Sequence, residues 1–207
     1  MAAVRDLDLL PKAHLHLHFT GSLSVPALRR LASSDGLDLP DALLDDIALD
    51  VPADKRGWFR FQRLYEAARH AVRSESALRF VMDRAAAHDA AEGSRRLEIQ
   101  VDPTGYGRHV GGVQQALEII LDAAREAEAA HGVQVGVIVA ASRVRHPLDA
   151  RTLARLAARY AGRVVGFGLN NNERHGITAE WEGAFRIARN AGLRAVPHAG
   201  ELLGPAN

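Results

Sequence analysis

Residues 14–18 read His14-Leu15-His16-Leu17-His18, an alternation of imidazole and leucine. Because successive residues of a β-strand point to opposite faces, this run predicts a strand over 13–19 with all three imidazoles on one face and both leucines on the other. Imidazole is the most common metal-ligating side chain. The three histidines span about 13 Å of strand, so we expect two of them to share one metal ion. The alternative is a half-buried strand in which histidines only fill polar positions.

Composition and charge exclude several classes of protein. The chain has 207 residues, of which 47% are hydrophobic and 25% charged, as is usual for a soluble globular protein. Its 26 basic and 25 acidic side chains give a net charge of +1, which offers no electrostatic footprint for a nucleic acid or a membrane surface. The chain has no cysteine. Disulfides and cysteine-ligated zinc are therefore excluded, including the deaminases that hold zinc with histidine and cysteine.

The N-terminal region carries no targeting pattern that we recognise. Its first thirty residues include Arg5, Asp6, Asp8 and Lys12 in addition to the histidines, so we do not expect a secretory signal. No apolar run approaches the length of about 20 residues that a membrane-spanning helix needs. We therefore expect a cytoplasmic protein.

Strand-like and helix-like segments alternate along the chain. Apolar runs predict further strands at 97–101, 133–140, 164–169 and 195–198. A first helix, capped by Ser22 or Ser24, is predicted to run through Ala32. Helical patterns are also found at 59–72, 77–92, 113–131, 149–161 and 179–191, with a short helical piece at 42–47. The run at 133–140 is almost continuously apolar, which is typical of a strand buried on both faces. This alternation predicts an α/β fold with a parallel sheet covered by helices, in a single domain over 1–207.

Polar side chains follow the carboxyl end of each predicted strand. They are His18 and Thr20, Gln100 and Asp102, Ser142 and Arg143, Asn170 to Glu173, and His198 to Glu201. Barrel enzymes and open α/β sheets place their active sites at this edge. A solvated loop explains any one of these groups taken alone, but two strand ends that both bear histidine favour a common site.

The segment Val196-Pro197-His198-Ala199-Gly200-Glu201 contains the second strong pattern. His198 at a strand end can supply a metal ligand that the first strand lacks, and Gly200 permits a tight turn. Glu201 follows three residues later, and a carboxylate beside a metal site is suited to proton transfer. The alternative is a histidine next to a turn with a surface glutamate.

Both segments resemble the adenosine deaminase family, a branch of the amidohydrolase superfamily. Pro11-Lys12-Ala13-His14-Leu15-His16-Leu17-His18-Phe19-Thr20-Gly21 is similar to the family's opening strand, whose pattern is Lys-x-x-x-His-x-His-x-Asp-Gly. His198-Ala199-Gly200-Glu201 matches its later His-Ala-Gly-Glu motif. The segment 97–103 resembles the second strand of the family, and 165–169 with Glu173 resembles the fourth. The resemblance covers the whole chain, and the His-Ala-Gly-Glu motif distinguishes deaminases from the wider superfamily.

The resemblance implies a zinc-dependent hydrolytic deamination of adenosine or a related aminopurine. By position, His16, His18 and His198 would be Zn²⁺ ligands, with ring nitrogens converging to within about 3–4 Å, and His14 would lie outside the cluster. Glu201 would protonate the purine ring at N1. His18, Thr20 and Asn171 would contact the substrate, a small purine nucleoside or base, and Phe61 with Tyr65 would cover it; ordinary helix packing explains that last pair equally well.

The sequence departs from the family pattern at the substrate positions. Thr20 replaces the aspartate that contacts the sugar hydroxyl of adenosine, which favours a modified nucleoside or a free base. Asn171-Asn172 replaces Gly-Asp, at a position where the family uses a backbone amide close to the purine.

The predicted architecture is an incomplete (β/α)₈ barrel with about five βα units. A complete barrel has eight strands and about 250 residues, whereas the fifth predicted strand ends shortly before Asn207. The family's later histidine and its Asp-Asp pair are absent, so we expect a fragment or a truncated product with little deaminase activity of its own, the alternative being that partner chains complete the barrel. The alternatives are another ring or amide hydrolase of the superfamily and a catalytically silent metal-binding module.

Overall fold

A computed structural model describes residues 10–44 and 55–204. Within these residues, five strands pair in the order β1-β2-β3-β4-β5, and every pairing is parallel. The strands are β1 (Lys12–His18), β2 (Ser94–Val101), β3 (Gln134–Ser142), β4 (Val164–Asn170) and β5 (Arg194–Pro197). The helices are α1 (Val25–Ser34), α2 (Lys55–His70), α3 (Glu75–Ala91), α4 (Gly107–Val110), α5 (Val113–His131), α6 (Pro147–Arg159) and α7 (Glu182–Asn190).

All five predicted strands are confirmed, with ends shifted by at most three residues. The helix predicted at 113–131 has those same ends in the structure. The helix predicted at 179–191 begins instead as a 3₁₀ turn, Thr178–Trp181, and continues as α7. The piece predicted at 42–47 is represented by a 3₁₀ turn at Asp41–Leu43, and its remainder lies outside the described residues. The short helix α4 was not anticipated.

Helices follow every strand up to β4 and cover the sheet. Parallel strands in sequential order, with a helical crossover between neighbours, are the arrangement of consecutive units of a (β/α)₈ barrel. The chain therefore forms an incomplete barrel of five strands, as the sequence predicts. Because all strands are parallel, their carboxyl ends meet at one edge of the sheet, which is the edge where barrel enzymes carry their sites.

The central strands are buried because the side chains on their core-facing sides are apolar. Residues 137–141 of β3 are all at most 3% exposed, which confirms the prediction of a strand buried on both faces. On β2, Leu97, Ile99 and Val101 belong to the core, whereas Glu98 and Gln100 alternate with them and lie on the opposite face. Apolar residues of the helices complete the core, among them Leu117 and Ile120 of α5, which are fully buried.

Local sequence signals set several helix ends. The Ser24 hydroxyl accepts a hydrogen bond from the Ala27 amide at 3.4 Å and caps α1, with Pro26 in the first turn. The Ser74 hydroxyl caps α3 in the same way, accepting from the Ala77 amide at 3.1 Å.

A β-bulge in β1 overturns the expected alternation of its side chains. His14 pairs with Leu97 and Leu17 pairs with Ile99, so three steps along β1 match two along β2. His16 sits at the bulge with φ +70°, in the left-handed region. One extra residue in a strand moves every later side chain to the opposite face.

The prediction that all three imidazoles share one face with both leucines opposite is therefore wrong. His14 points toward α3, where its Nδ1 lies 2.9 Å from Oδ1 of Asp89. Leu17 packs against the core, and Leu15 is 57% exposed. The bulge separates His14 from His16 and leaves His16 and His18 on the inner face of the sheet.

We predict that truncating the core is far more costly than truncating the surface. Leu117→Ala should lower the free energy of unfolding by about 2–5 kcal/mol, because a buried cavity forms between α5 and its neighbours. The matched change Leu148→Ala, at a residue 56% exposed on α6, should change it by about 0.5 kcal/mol or less. Urea denaturation followed by circular dichroism measures both values. Equal effects would contradict the core described above.

Candidate metal centre

Three histidines from the two edge strands of the described sheet meet at its inner face. The Nε2 atoms of His16 and His198 lie 2.8 Å apart, and the ring of His18 is centred 5.4 Å from that of His16 and 5.0 Å from that of His198. One ring nitrogen from each histidine falls within 4.8 Å of the others, a spacing that could hold a metal ion. The greatest separation is longer than the expected 3–4 Å. The structure thus brings together the three residues that the sequence analysis selected.

His14 is held elsewhere. Its Nδ1 pairs with Asp89 of α3, whose side chain is only 2% exposed. The other carboxylate oxygen of Asp89 is buried without a hydrogen-bond partner among the described residues. This pairing fixes the first part of β1 against the helix layer, and it keeps His14 out of the imidazole cluster.

Gln100 lies beside the cluster on the neighbouring strand. Its side-chain nitrogen is 3.4 Å from Nε2 of His198, and the residue is 2% exposed. Gly168 on β4 leaves the space that this side chain occupies, because a Cβ at that position would collide with the Gln100 amide oxygen. Gln100 therefore packs directly against the ring of His198.

The electrostatics of the cluster favour neutral imidazoles. Burial, together with the neighbouring His198 and His16, lowers the pKa of His18 to about 4. Burial and His198 also lower the pKa of His16, opposed by the nearby carboxylate of Glu98. At neutral pH the rings of His16 and His18 are uncharged. A neutral imidazole offers a nitrogen lone pair, which is the form that binds metal.

Glu201 lies at the open side of the cluster. Its Oε2 is 3.5 Å from Nδ1 of His198, on the ring edge opposite to the nitrogen that faces His16. The hydrogen bond from His198 lowers the pKa of Glu201 although partial burial opposes it. A proton on Nδ1 of His198 that is shared with this carboxylate leaves Nε2 free as a donor to metal.

The cluster opens into a cavity of about 580 Å³ at the carboxyl edge of the sheet. Side chains at the carboxyl ends of all five described strands line it, as the positions of the polar residues in the sequence predict. They include Thr20, Asp102, Ser142, Asn171 and Glu201. Helix α2 covers one side with Phe61 and Tyr65, whose rings are 6.3 Å apart.

Comparison with known proteins agrees with this geometry. The sequence model of the family described as adenosine deaminase matches residues 11–207. The chain belongs to the adenosine deaminase family. A Streptomyces virginiae protein named for adenosine/adenine deaminase activity is 54% identical over 209 residues, which cover all of this chain and 62% of that protein.

More distant members of the family share the same architecture. An adenine deaminase of Streptomyces coelicolor is 33% identical over 95% of this chain and 57% of its own length. The crystal structure of adenine deaminase from Arthrobacter aurescens superposes with a TM-score of 0.79 at 27% identity, covering 95% of this chain and 59% of that one. The chain therefore spans about three fifths of the length of the deaminases that it matches.

Thr20, which departs from the family pattern, is turned into the protein. It is 2% exposed, and its Oγ1 lies 2.6 Å from the hydroxyl of Tyr106. Tyr65 also hydrogen-bonds to Thr20, and burial raises the pKa of Tyr65 to about 12. Thr20 lines the cavity, but its hydroxyl is already engaged by neighbouring tyrosines; its contact with a substrate stays a prediction.

Asn171, the second departure from the family pattern, lies at the rim of the cavity. Its φ is +73°, a left-handed conformation that asparagine tolerates better than most residues. Its side-chain oxygen accepts a hydrogen bond from the Asn172 amide at 2.8 Å. The conformation is one for which glycine, the family's usual residue here, is also suited.

Sequence reasoning missed three charged residues that shape the centre. Asp89 lies on α3, 75 residues from the histidine it binds, and nothing in the local pattern links them. Arg143 was recognised only as a polar residue after a strand, and Glu173 only as such a residue and as part of the family resemblance, with no role assigned to either. In the structure both are buried and bind the segment that contains His198 and Glu201.

No helix of the described residues is long and apolar enough to cross a membrane.

We predict that the metal-free chain loses stability as the pH falls toward 5, partly through His18. The unfolded chain has an imidazole pKa near 6.5 and the folded chain about 4, so the unfolded state binds more protons between these values. At pH 5 this difference in proton binding lowers the free energy of unfolding by about 2 kcal/mol relative to pH 7.5. Urea unfolding of the parent and His18→Asn at both pH values measures the difference, since the variant should fall less steeply.

The matched control is His88→Asn, at an exposed histidine of α3. It keeps His18 and should therefore retain the parent's decline. Equal declines in the parent and in His18→Asn would show that His18 is not a source of the pH dependence.

Proposed function

We propose that residues 10–204 form the metal-binding and proton-transfer part of a zinc-dependent aminopurine deaminase. The observation that carries this proposal is the convergence of His16, His18 and His198, with one ring nitrogen of each within 4.8 Å of the others, in the wall of the cavity. Family membership supports the same reaction class. The reaction replaces the exocyclic amino group of the purine with oxygen from water and releases ammonia.

The donor set suits Zn²⁺. Three neutral imidazoles are a common ligand set for catalytic zinc, which keeps one position open for water or substrate. Gln100 and Glu201 flank His198 and limit the rotation of its ring. When bound, zinc supplies a coordinated water whose pKa is about 7, and so provides a nucleophile at neutral pH.

Glu201 is the group that we assign to proton transfer at N1 of the purine. Its carboxylate is 51% exposed in the substrate-free cavity and ionised at neutral pH. A substrate that covers it removes water, and desolvation raises the pKa of a carboxyl group. Glu201 can then hold a proton and donate it to N1, which makes the neighbouring ring carbon more electrophilic.

The substrate we propose is a small aminopurine, adenosine, adenine or a modified nucleoside. Thr20 and Asn171 line the cavity beside the metal centre, and His18 forms its inner wall. Thr20 offers a neutral hydroxyl that Tyr106 already engages, which weakens recognition of a sugar hydroxyl and favours a free base. The setting that fits this substrate class and the absence of cysteine is cytoplasmic purine metabolism.

We predict that zinc binding depends on His16 and His198 but not on His14. The parent and His14→Asn should each bind one Zn²⁺ per chain, whereas His16→Asn and His198→Asn should bind none. Asparagine keeps a donor for Asp89 at position 14 and tolerates the left-handed backbone at position 16. Metal analysis after dialysis against zinc, with calorimetric titration, gives the stoichiometry. Loss of zinc in His14→Asn with retention in His16→Asn would overturn the ligand assignment.

Turnover tests the proposed reaction in a chimera. Residues 1–207 replace the matching segment of the Streptomyces virginiae relative, which supplies the remainder of a full-length deaminase. We predict ammonia release from adenosine, adenine or both, measured with a coupled assay. Glu201→Gln in the chimera should lower kcat about 10²-fold or more, the usual contribution of a general acid, with zinc content unchanged.

Two outcomes would contradict the assignment. If the zinc-loaded chimera releases ammonia from no aminopurine but hydrolyses a cyclic amide, the segment belongs to another hydrolase of the superfamily. If Glu201→Gln loses its zinc, Glu201 maintains the metal site and is not assigned to proton transfer. The exposed Glu180→Gln serves as a matched control and should leave kcat and zinc content unchanged.

A further inference from the structure

Two buried charged side chains bind the backbone of the segment 198–203, which lies outside the helices and strands. Arg143 follows β3 and is 3% exposed, and Glu173 follows β4 and is 1% exposed. Neither touches the cavity that the imidazoles line. Their location behind the segment indicates a role that is separate from ligand contact.

Arg143 binds the start of the segment. Its Nη2 donates to the carbonyl oxygen of His198 at 3.0 Å, and its Nη1 donates to the Thr178 hydroxyl at 3.5 Å. The guanidinium lies 5.6 Å from the centre of the Trp181 ring. A guanidinium held by an aromatic ring on one side and a hydroxyl on another is restricted in position, so the carbonyl it binds is restricted too.

Glu173 binds the rest of the segment. Its Oε1 accepts from the Gly200 amide at 2.6 Å, and its Oε2 accepts from the amides of Leu202 at 2.7 Å and Leu203 at 3.1 Å. Gly200 has φ +73°, and this left-handed turn lets its own amide and those of Leu202 and Leu203 face one carboxylate. Such a concave group of backbone N–H groups is an anion-binding arrangement, and here a side chain of the same chain occupies it.

The charges of the Arg143 and Glu173 side chains match the polarity of the backbone groups that they bind. The cation meets a carbonyl oxygen and the anion meets amide groups, so both contacts are charge-assisted hydrogen bonds, which are shorter and stronger than neutral ones. Because both ions are buried, losing either set of partners is costly, and the segment is therefore held firmly. Glu201 lies between Gly200 and Leu202, whose amides both bind Glu173, so its backbone is fixed while its side chain remains half exposed.

We infer that Arg143 and Glu173 are positioning residues that together fix His198 and Glu201 relative to β1. This inference rests on the proposed function, since it explains how the third imidazole and the carboxylate keep their places. Arg143 sets the height of His198 above the inner face of the sheet. Glu173 sets the path of the chain from Gly200 onward, and through it the approach of Glu201 to His198.

Amide hydrogen exchange in the metal-free chain tests the contacts directly. Glu173→Gln replaces one acceptor oxygen by a donor, so the amides of Gly200, Leu202 and Leu203 should exchange about 10-fold faster or more. Arg143→Met should accelerate exchange of the His198 amide, which donates to the Leu169 carbonyl at 2.8 Å. In the matched control Glu128→Gln, only the Val135 amide, bound by Glu128 at 3.1 Å, should change.

Zinc affinity then separates positioning from a purely structural role. Arg143→Met should weaken zinc binding by about 10-fold, as loss of a partner behind a ligand does, whereas Arg163→Met, at an exposed ion pair with Asp122, should not. Faster exchange with unchanged zinc affinity would overturn the positioning role.

The inference stays falsifiable if a variant fails to fold. The parent's own amides at Gly200, Leu202 and Leu203 should be protected although they lie outside helices and strands, and unprotected exchange there would overturn it. The exchange readout requires neither zinc nor turnover. It therefore succeeds or fails independently of the proposed deaminase activity.

Discussion

The close approach of His16 to His198 is the constraint on which the rest of this structure depends. These residues lie 182 positions apart and belong to the first and last strands of the described sheet. A flat five-stranded sheet would separate such strands by about 19 Å, since neighbouring strands lie about 4.8 Å apart. Nitrogen atoms 2.8 Å apart therefore require a sheet that curls, and the helices outside it and the polar groups inside it follow from that curvature.

Much of this fold could be predicted from sequence because its signals are local. The apolar run of β3 and the periodic helix α5 needed no tertiary information, and the histidine patterns predicted which three imidazoles meet. The bulge in β1 could not be predicted from local pattern, and neither could the contact of His14 with Asp89 on a helix 75 residues away. Strict alternation is a property of regular strands, and one inserted residue cancels it.

The same limit applies to the residues behind the site. Glu173 and Asn172 look alike in sequence, as polar residues after a strand, yet Glu173 receives three backbone amides from a segment about 30 residues away. Only the folded arrangement of neighbouring strand ends distinguishes them. Sequence patterns thus indicate which polar residue types lie together at the edge of a parallel sheet. The role of each residue depends on which backbone groups its side chain reaches in the folded chain.

The imidazole cluster has a further consequence for the conditions under which the centre remains intact. Its donors are ring nitrogens, and the chain contains no cysteine. Oxidants such as peroxide convert thiolates to sulfenic and sulfinic acids and so release zinc from thiolate sites. A metal ion held by these three imidazoles, as we propose, would have no thiolate among these ligands for such oxidants to attack, so its retention would not depend on the redox state of its surroundings.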